Sequence, residues 1–204
     1  RPGEDQKWFE YWKQARLKWH EALGTAPEKY RFHDHVKLAH YANAATDIEF
    51  EFPFGFKEVE GIHSRTDFDL AQHQEFSGKK MQYFDNDLDA DGKPYGNYIP
   101  YVIETSIGLD RMFLLTMMNA LEEQDLSTTE KQDSRTLLRL HPCLAPIKAA
   151  IFPLTKKDGL PEKAREIMDQ LKFDFNCVYE EKDAIGKRYR RMDAIGTPFC
   201  VTVD

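Results

Sequence analysis

The 204-residue sequence predicts an α/β protein in two parts, with the boundary near residue 135. Residues 1–135 read as an α+β part built on an antiparallel sheet, and residues 136–204 as an α/β part with a mixed, largely parallel sheet. Three patterns carry that prediction. Residues 48–62 alternate as two strands around Pro53-Phe54-Gly55, which makes a hairpin rather than a βαβ crossover. Residues 98–121 read as a strand, a turn through Gly108 and an apolar helix. Beyond residue 136, strand and helix patterns alternate.

Residues 4–23 read as an aromatic-rich helix. Trp8, Trp12, Ala15 and Trp19 recur at three- and four-residue steps and Gly24 is a natural C-cap, so this stripe is expected in the core. After Pro27, Tyr30 and Phe32 suggest a short strand, and Asp34 is placed to N-cap a helix to about Ala45. Ile48, Phe50 and Phe52 alternate with Asp47, Glu49 and Glu51, the period of a strand with one wet face. Glu58 and Glu60 are two apart in the next strand and are expected on one side of it. Thr66 and Asp69 suit the first turn of a helix to about His73. Asp87-x-Asp89-x-Asp91-Gly92 has the opening spacing of a calcium loop, but position twelve is Tyr98 and Pro94 interrupts it, so a solvated hairpin tip is expected.

Glu122 to Arg135 is polar and nearly free of large apolar residues, which places the boundary between the parts there. Past it the expected order is strand 149–154, helix 161–171, strand 175–179, helix 185–192 and strand 199–203.

Composition excludes several classes. Three cysteines, Cys143, Cys177 and Cys200, form no Cys-x-x-Cys and no paired framework, so a disulfide scaffold and a zinc ribbon are disfavoured and a reducing, cytoplasmic setting is expected. Mean hydropathy is −0.64 and no apolar run approaches the roughly 20 residues of a membrane span. The opening Arg1-Pro2-Gly3-Glu4 has neither an initiator Met nor a signal-peptide apolar region and reads as the start of a fragment. The net charge of −7 is uneven: residues 142–204 carry 11 Lys and Arg against 10 Asp and Glu, and residues 1–141 carry 17 against 25. Lys187, Arg188, Arg190 and Arg191 fall within five residues, a cluster that suits phosphate or, equally, a solvated helix face beside Glu180 and Glu181.

Two constellations suggest chemistry. Glu104 ends a predicted strand, Ser106 follows two residues on, and Gly108 opens a helix whose free N–H groups and positive dipole end suit a phosphate. Arg111 leans back toward that helix start, and Glu104 suits an ammonium. An ordinary capped turn with a surface arginine explains the same residues. Glu58 or Glu60 suits Mg²⁺ beside phosphates, or cross-strand pairing. His33, His35 and His40 are close in sequence but lack a carboxylate or cysteine at ligand spacing.

The stretch Val102-Ile103-Glu104-Thr105-Ser106-Ile107-Gly108-Leu109-Asp110-Arg111 resembles motif 3 of the class II aminoacyl-tRNA synthetases. Phe54-Gly55-Phe56-Lys57-Glu58-Val59-Glu60-Gly61-Ile62-His63-Ser64-Arg65-Thr66-Asp67-Phe68-Asp69-Leu70 resembles a segment of the dimeric glycyl-tRNA synthetases. Leu138 to Pro142, Leu144 to Lys148 and Ile185 to Asp204 resemble that family's anticodon-binding domain.

The resemblance implies glycine activation with Mg²⁺-bound ATP and transfer of glycine to the 3′ end of tRNA(Gly) by a homodimeric cytoplasmic ligase. It places glycine at Glu104, Thr105, Ser106, Ile107 and Gly108. ATP falls to Glu58, Val59, Gly108, Leu109, Asp110 and Arg111, with Arg111 and Glu104 the catalytic pair. Glu58 is the implied Mg²⁺ ligand, and tRNA meets Lys187, Arg188, Arg190 and Arg191. Motifs 1 and 2 of that family would precede Arg1 and the anticodon domain would extend past Asp204, so the 204 residues alone are expected to be inactive. The alternative is a non-catalytic relative that keeps the fold to bind nucleic acid.

Overall fold

Asp5–Ala22 form helix α1, the first element of the computed structural model, which describes residues 1–130 and 132–204. The chain divides into two compact units, Arg1–Met112 and Phe113–Asp204. In the first, β1 (Tyr30–Asp34), β2 (Ala44–Phe52), β3 (Gly55–Ser64) and β6 (Ile103–Ile107) form an antiparallel sheet in the order β1-β2-β3-β6. Helix α2 (Phe68–Ser77) and the hairpin β4 (Tyr83–Leu88) and β5 (Pro94–Tyr98) lie between β3 and β6 in sequence. Ile48, Phe50, Phe52, Val59 and Ile62 are almost wholly buried, and each such side chain contributes about 1.5–3 kcal/mol by leaving water.

The β2–β3 hairpin and the tip between β4 and β5 follow the sequence. At that tip the Asp89 carboxylate accepts N–H bonds from Asp91 and Lys93, both at 2.9 Å, so the acidic run closes a turn. Four other expectations are corrected. Residues 34–45 form no helix: Asp34 pairs with Thr46, and the His35 N–H donates to the Ala45 carbonyl at 3.0 Å, so the sheet ladder takes the backbone groups a helix would need. The single strand expected at 98–104 is two pieces. Tyr98 closes β5, Pro100 has no N–H to donate, and pairing with β3 resumes at Ile103.

Helix α1 is also rotated from the expected face. Phe9, Lys13 and His20 are buried, whereas Trp8, Trp12 and Trp19 remain 39–41% exposed. What turns it is polar: Arg16 and His20 reach Glu60 of β3. The fourth correction is in that strand. Ile48 pairs with Glu60 and Glu49 with Glu58, leaving Val59 as the extra residue of a β-bulge. Neighbouring residues of β2 point to opposite faces, so Glu58 and Glu60 do too, and they do not share a side.

The boundary between the parts is expected within residues 122–135. Leu121–Asp125 (β7) and Ser134–Leu138 (β8) pair antiparallel after α3 (Leu109–Ala120). Residue 131 lies outside the described residues.

In the second unit β9 (Ala149–Pro153), α4 (Leu160–Leu171), β10 (Cys177–Tyr179), α5 (Ile185–Ile195) and β11 (Phe199–Val203) appear as the alternating pattern predicts. Their strands pair in parallel in the order β10-β9-β11. Ala149 and Ile151 pack with Ala164 of α4, while Ala150 and Phe152 pack with Met192 of α5, so the two helices cover opposite faces.

Candidate active site

The site lies on the face of the first sheet opposite α1. The register pairs His63 with Glu104 and Gly61 with Ser106, and Gly61 also pairs with Asp47, so Glu104, Ser106, His63 and Asp47 share that face. Thr105 and Ile107 alternate to the other face, and any contact they make with a ligand at Ser106 is through the main chain. Gly61 has an ordinary strand φ. Its lack of a Cβ matters because that atom would sit 2.9 Å from His63 Cε1 and 3.7 Å from Asp47 Oδ1.

At the end of β6 the chain turns through Gly108, whose N–H reaches the Val59 carbonyl at 3.4 Å and whose carbonyl accepts the Met112 N–H at 2.9 Å. The first N–H groups of α3 therefore have no partner within the helix. They border a cavity of about 670 Å³ lined by Glu58, Val59, Ser106, Ile107, Gly108, Leu109, Asp110 and Arg111. A second hollow of about 470 Å³, lined by His33, His35, Asp47, Glu49 and Lys57 among others, shares Glu58 and Arg111 with the first.

Arg111 and Glu58 form the rim between them. Arg111 Nη1 donates to the Glu58 carbonyl at 2.6 Å and lies 3.7 Å from Glu58 Oε2, with both side chains about half exposed. One guanidinium edge is thereby fixed on the bulged strand.

Glu104 is oriented by a residue that spacing alone does not single out. Arg65 Nη1 donates to Glu104 Oε2 at 2.5 Å, while Nε and Nη2 of Arg65 fork onto Asp69 at 2.6 and 2.8 Å. Its guanidinium also stacks 4.1 Å from the Tyr41 ring centre. Hydrogen bonding to Asp69 and then Glu104 raises the Arg65 pKa, and the Arg65 bond lowers that of Asp69. The Arg65–Asp69 spacing of four residues at a helix start was a readable signal; the reach to Glu104 was not. His35, whose Nε2 lies 2.8 Å from Asp47 Oδ2, was likewise missed as a neighbour of the site.

His33 and His35 have ring centres 6.1 Å apart, but His40 packs edge-on against Tyr41 and Phe68 instead. Among the described residues no group of three His, Cys, Asp or Glu side chains is arranged to hold a metal ion.

The basic cluster on α5 is divided. Arg188 is 4% exposed and donates to the Pro153 carbonyl at 2.6 Å and the Asp183 carbonyl at 2.9 Å, so it ties α5 to β9. Arg190 is bidentate to Asp133 at 2.9 and 2.7 Å, and Arg191 pairs with Glu180 and Asp183. Lys187 is exposed and has no ion-pair partner among the described residues.

Residues 148–204 match the family model described as an anticodon binding domain. The whole chain aligns with the glycine–tRNA ligase of Treponema denticola at 52% identity over 209 positions, covering 45% of that protein. It aligns as fully with those of Chlorobaculum tepidum at 49% and Geobacillus thermodenitrificans at 50%, covering 42% of each. The chain is homologous, end to end, to a part of the glycine–tRNA ligases. It spans less than half the length of these curated relatives. The fold of the chain is also similar to that of a solved structure: the Giardia lamblia prolyl-tRNA synthetase in complex with prolyl-adenylate superposes with a TM-score of 0.58. That match covers 99% of this chain and 38% of the other at 14% identity. Among the described residues no helix is long and apolar enough to cross a membrane.

Proposed function

We propose that the open face of the first unit binds ATP and glycine as part of a glycine–tRNA ligase, and that the second unit meets tRNA(Gly). The observation that carries this reading is the shared wall: Ser106, Gly108 and Arg111 line one cavity with Glu58 and Val59, and Glu104 stands on the same face two residues before Ser106.

In this reading glycine lies with its ammonium on Glu104 and Ser106. Its carboxylate attacks the α-phosphate of ATP, forming glycyl-adenylate and releasing pyrophosphate; the tRNA 3′ end then takes the glycyl group. Arg111 and the free N–H groups of α3 receive the terminal phosphates, and the main chain at Glu58 and Val59 borders the nucleotide. Charge placement of this kind is most of what phosphoryl and nucleotidyl transfer asks of a protein. Arg65 keeps Glu104 in one position on the open face. Mg²⁺ accompanying ATP would neutralise phosphate charge, and the half-exposed Glu58 carboxylate fits it, because Mg²⁺ is commonly held by one or two carboxylates with phosphates and water supplying the rest. The complete protein acts as a cytoplasmic homodimer, and the 204 residues alone do not turn over.

The test is glycine-dependent exchange of labelled pyrophosphate into ATP by the complete protein. Exchange with glycine but not with proline supports the reading. A folded complete protein that binds tRNA without any exchange would be the non-catalytic, nucleic-acid-binding relative.

A further inference from the structure

Glu60 is 1% exposed and faces α1, away from the substrate face, yet all of its recognised partners are ionisable. Arg16 donates to it through Nε at 2.5 Å and Nη2 at 3.2 Å, and His20 Nε2 lies 2.8 Å from Oε2. His20 is fully buried, and the Arg16 guanidinium is stacked 4.5 Å from the Trp19 ring centre. Two buried groups, Glu60 and His20, and the partly exposed Arg16 thus meet between one helix and one strand, and the proposed chemistry uses none of them.

Their position explains why they are there. Val59, the extra residue of the β-bulge, stands immediately before Glu60, and Glu58 immediately before Val59. In a regular strand Glu58 and Glu60 would share a face. If the extra residue moved along β3, one of two things would follow. Either Glu60 would swing to the open face and leave the half-buried Arg16 guanidinium and the buried His20 ring without their carboxylate, or Glu58 would bring a second carboxylate inward beside them. The first removes the acceptor that Arg16 and His20 share and the second crowds two carboxylates together, so the Arg16–Glu60–His20 cluster selects one register. In that register the Glu58 carbonyl accepts Arg111 at 2.6 Å and the Val59 carbonyl faces the Gly108 N–H.

We propose that Glu60, held by Arg16 and His20, is a positioning residue that pins the β-bulge at Val59 and thereby fixes Glu58 and Arg111 at the nucleotide-binding wall. The inference rests on the ATP reading of that wall. It predicts a selective effect, because Glu104 and Ser106 are carried by β6 and not by the bulge.

Two variants of the complete protein test it. Glu60→Gln keeps the shape and removes the charge. The triple variant Arg16→Met, His20→Phe, Glu60→Leu replaces the buried cluster with apolar groups of similar size, an exchange that buried ion clusters can tolerate without loss of stability. In both, KM for ATP in pyrophosphate exchange should rise about tenfold, while KM for glycine stays within about twofold. Amide hydrogen exchange should quicken in peptides covering 56–62 and 108–112 and stay unchanged over 149–153. A folded triple variant with unchanged KM for ATP and unchanged exchange in the first two peptides would overturn the pin and leave the cluster merely structural. Faster amide exchange there, in a protein whose parent shows no glycine-dependent activity at all, would instead uphold the pin and refute the ATP reading of the wall.

Discussion

Arg65 and Glu104, 39 residues apart in sequence, are joined by a 2.5 Å hydrogen bond through Arg65 Nη1 and Glu104 Oε2. The remaining guanidinium nitrogens are taken by Asp69, so the fork holds α2 and β6 together and gives Glu104 one orientation on the open face. An ammonium meeting Glu104 therefore meets a carboxylate already placed, and less freedom is lost on binding.

Arg65→Met in the complete protein should lower kcat/KM for glycine by about 1–3 kcal/mol, because it leaves Glu104 free to rotate. KM for ATP should change far less. Steady-state pyrophosphate exchange at varied glycine checks this, and a parental glycine dependence would remove Arg65 from the account.

Arg111→Lys should impair use of ATP even though the charge is kept, since lysine cannot hold the Glu58 carbonyl with one edge and phosphate oxygens with the other. The measurement is KM for ATP with circular dichroism as a folding control. A variant at parental KM would make Arg111 an ordinary surface partner of Glu58.

Burial alone would raise the Glu60 carboxyl, but hydrogen bonds from His20 and Arg16 outweigh it and hold its pKa below the ordinary 4.5. Its stabilising contribution is complete above about pH 4.5, where the unfolded carboxyl is ionised too, and is lost as pH falls through the lower folded value. The unfolding midpoint should therefore drop between pH 4.5 and more acid conditions by a larger margin in the parent than in Glu60→Gln. Parallel acid profiles would show that Glu60 is not the group titrating.

The four basic residues of α5 should separate in function. Arg188→Gln leaves the Pro153 and Asp183 carbonyls without their donor and should cost about 1–3 kcal/mol of stability. Lys187→Gln should leave stability unchanged and, if its ammonium meets a tRNA phosphate, reduce the slope of log K against log salt by about 0.7–0.9. Affinity at several salt concentrations, with denaturant unfolding in parallel, distinguishes them; the reverse assignment would contradict the burial of Arg188.

Local patterns made some elements legible in the sequence and long-range contacts hid others. The β2–β3 hairpin follows from two alternating runs and Pro53-Phe54-Gly55, and β9 to β11 from apolar runs at the spacing of βαβ units. The strand at Asp34 depended on β2 offering ladder partners ten and more residues away. The rotation of α1 depended on Glu60, 44 residues from Arg16. The bulge at Val59 has no local signature, so counting by twos set Glu58 and Glu60 on one face. Within the site, Glu104, Ser106, Gly108 and Arg111 were legible because a strand, a glycine turn and a helix start succeed one another. Arg65 and His35 became neighbours only through the register of the sheet.

The central claim is that Glu104 on β6 serves the amino acid and Arg111, on the helix α3 that follows, the nucleotide. The direct measurement is pyrophosphate exchange by the complete protein and its Glu104→Ala and Arg111→Lys variants, with KM determined for glycine and for ATP in each. The account predicts a crossed result: Glu104→Ala weakens glycine use, by about 2–5 kcal/mol in kcat/KM, with KM for ATP near parental, and Arg111→Lys does the converse. If both variants moved both constants equally, or if neither variant moved either, the division of the site between these two residues would be wrong.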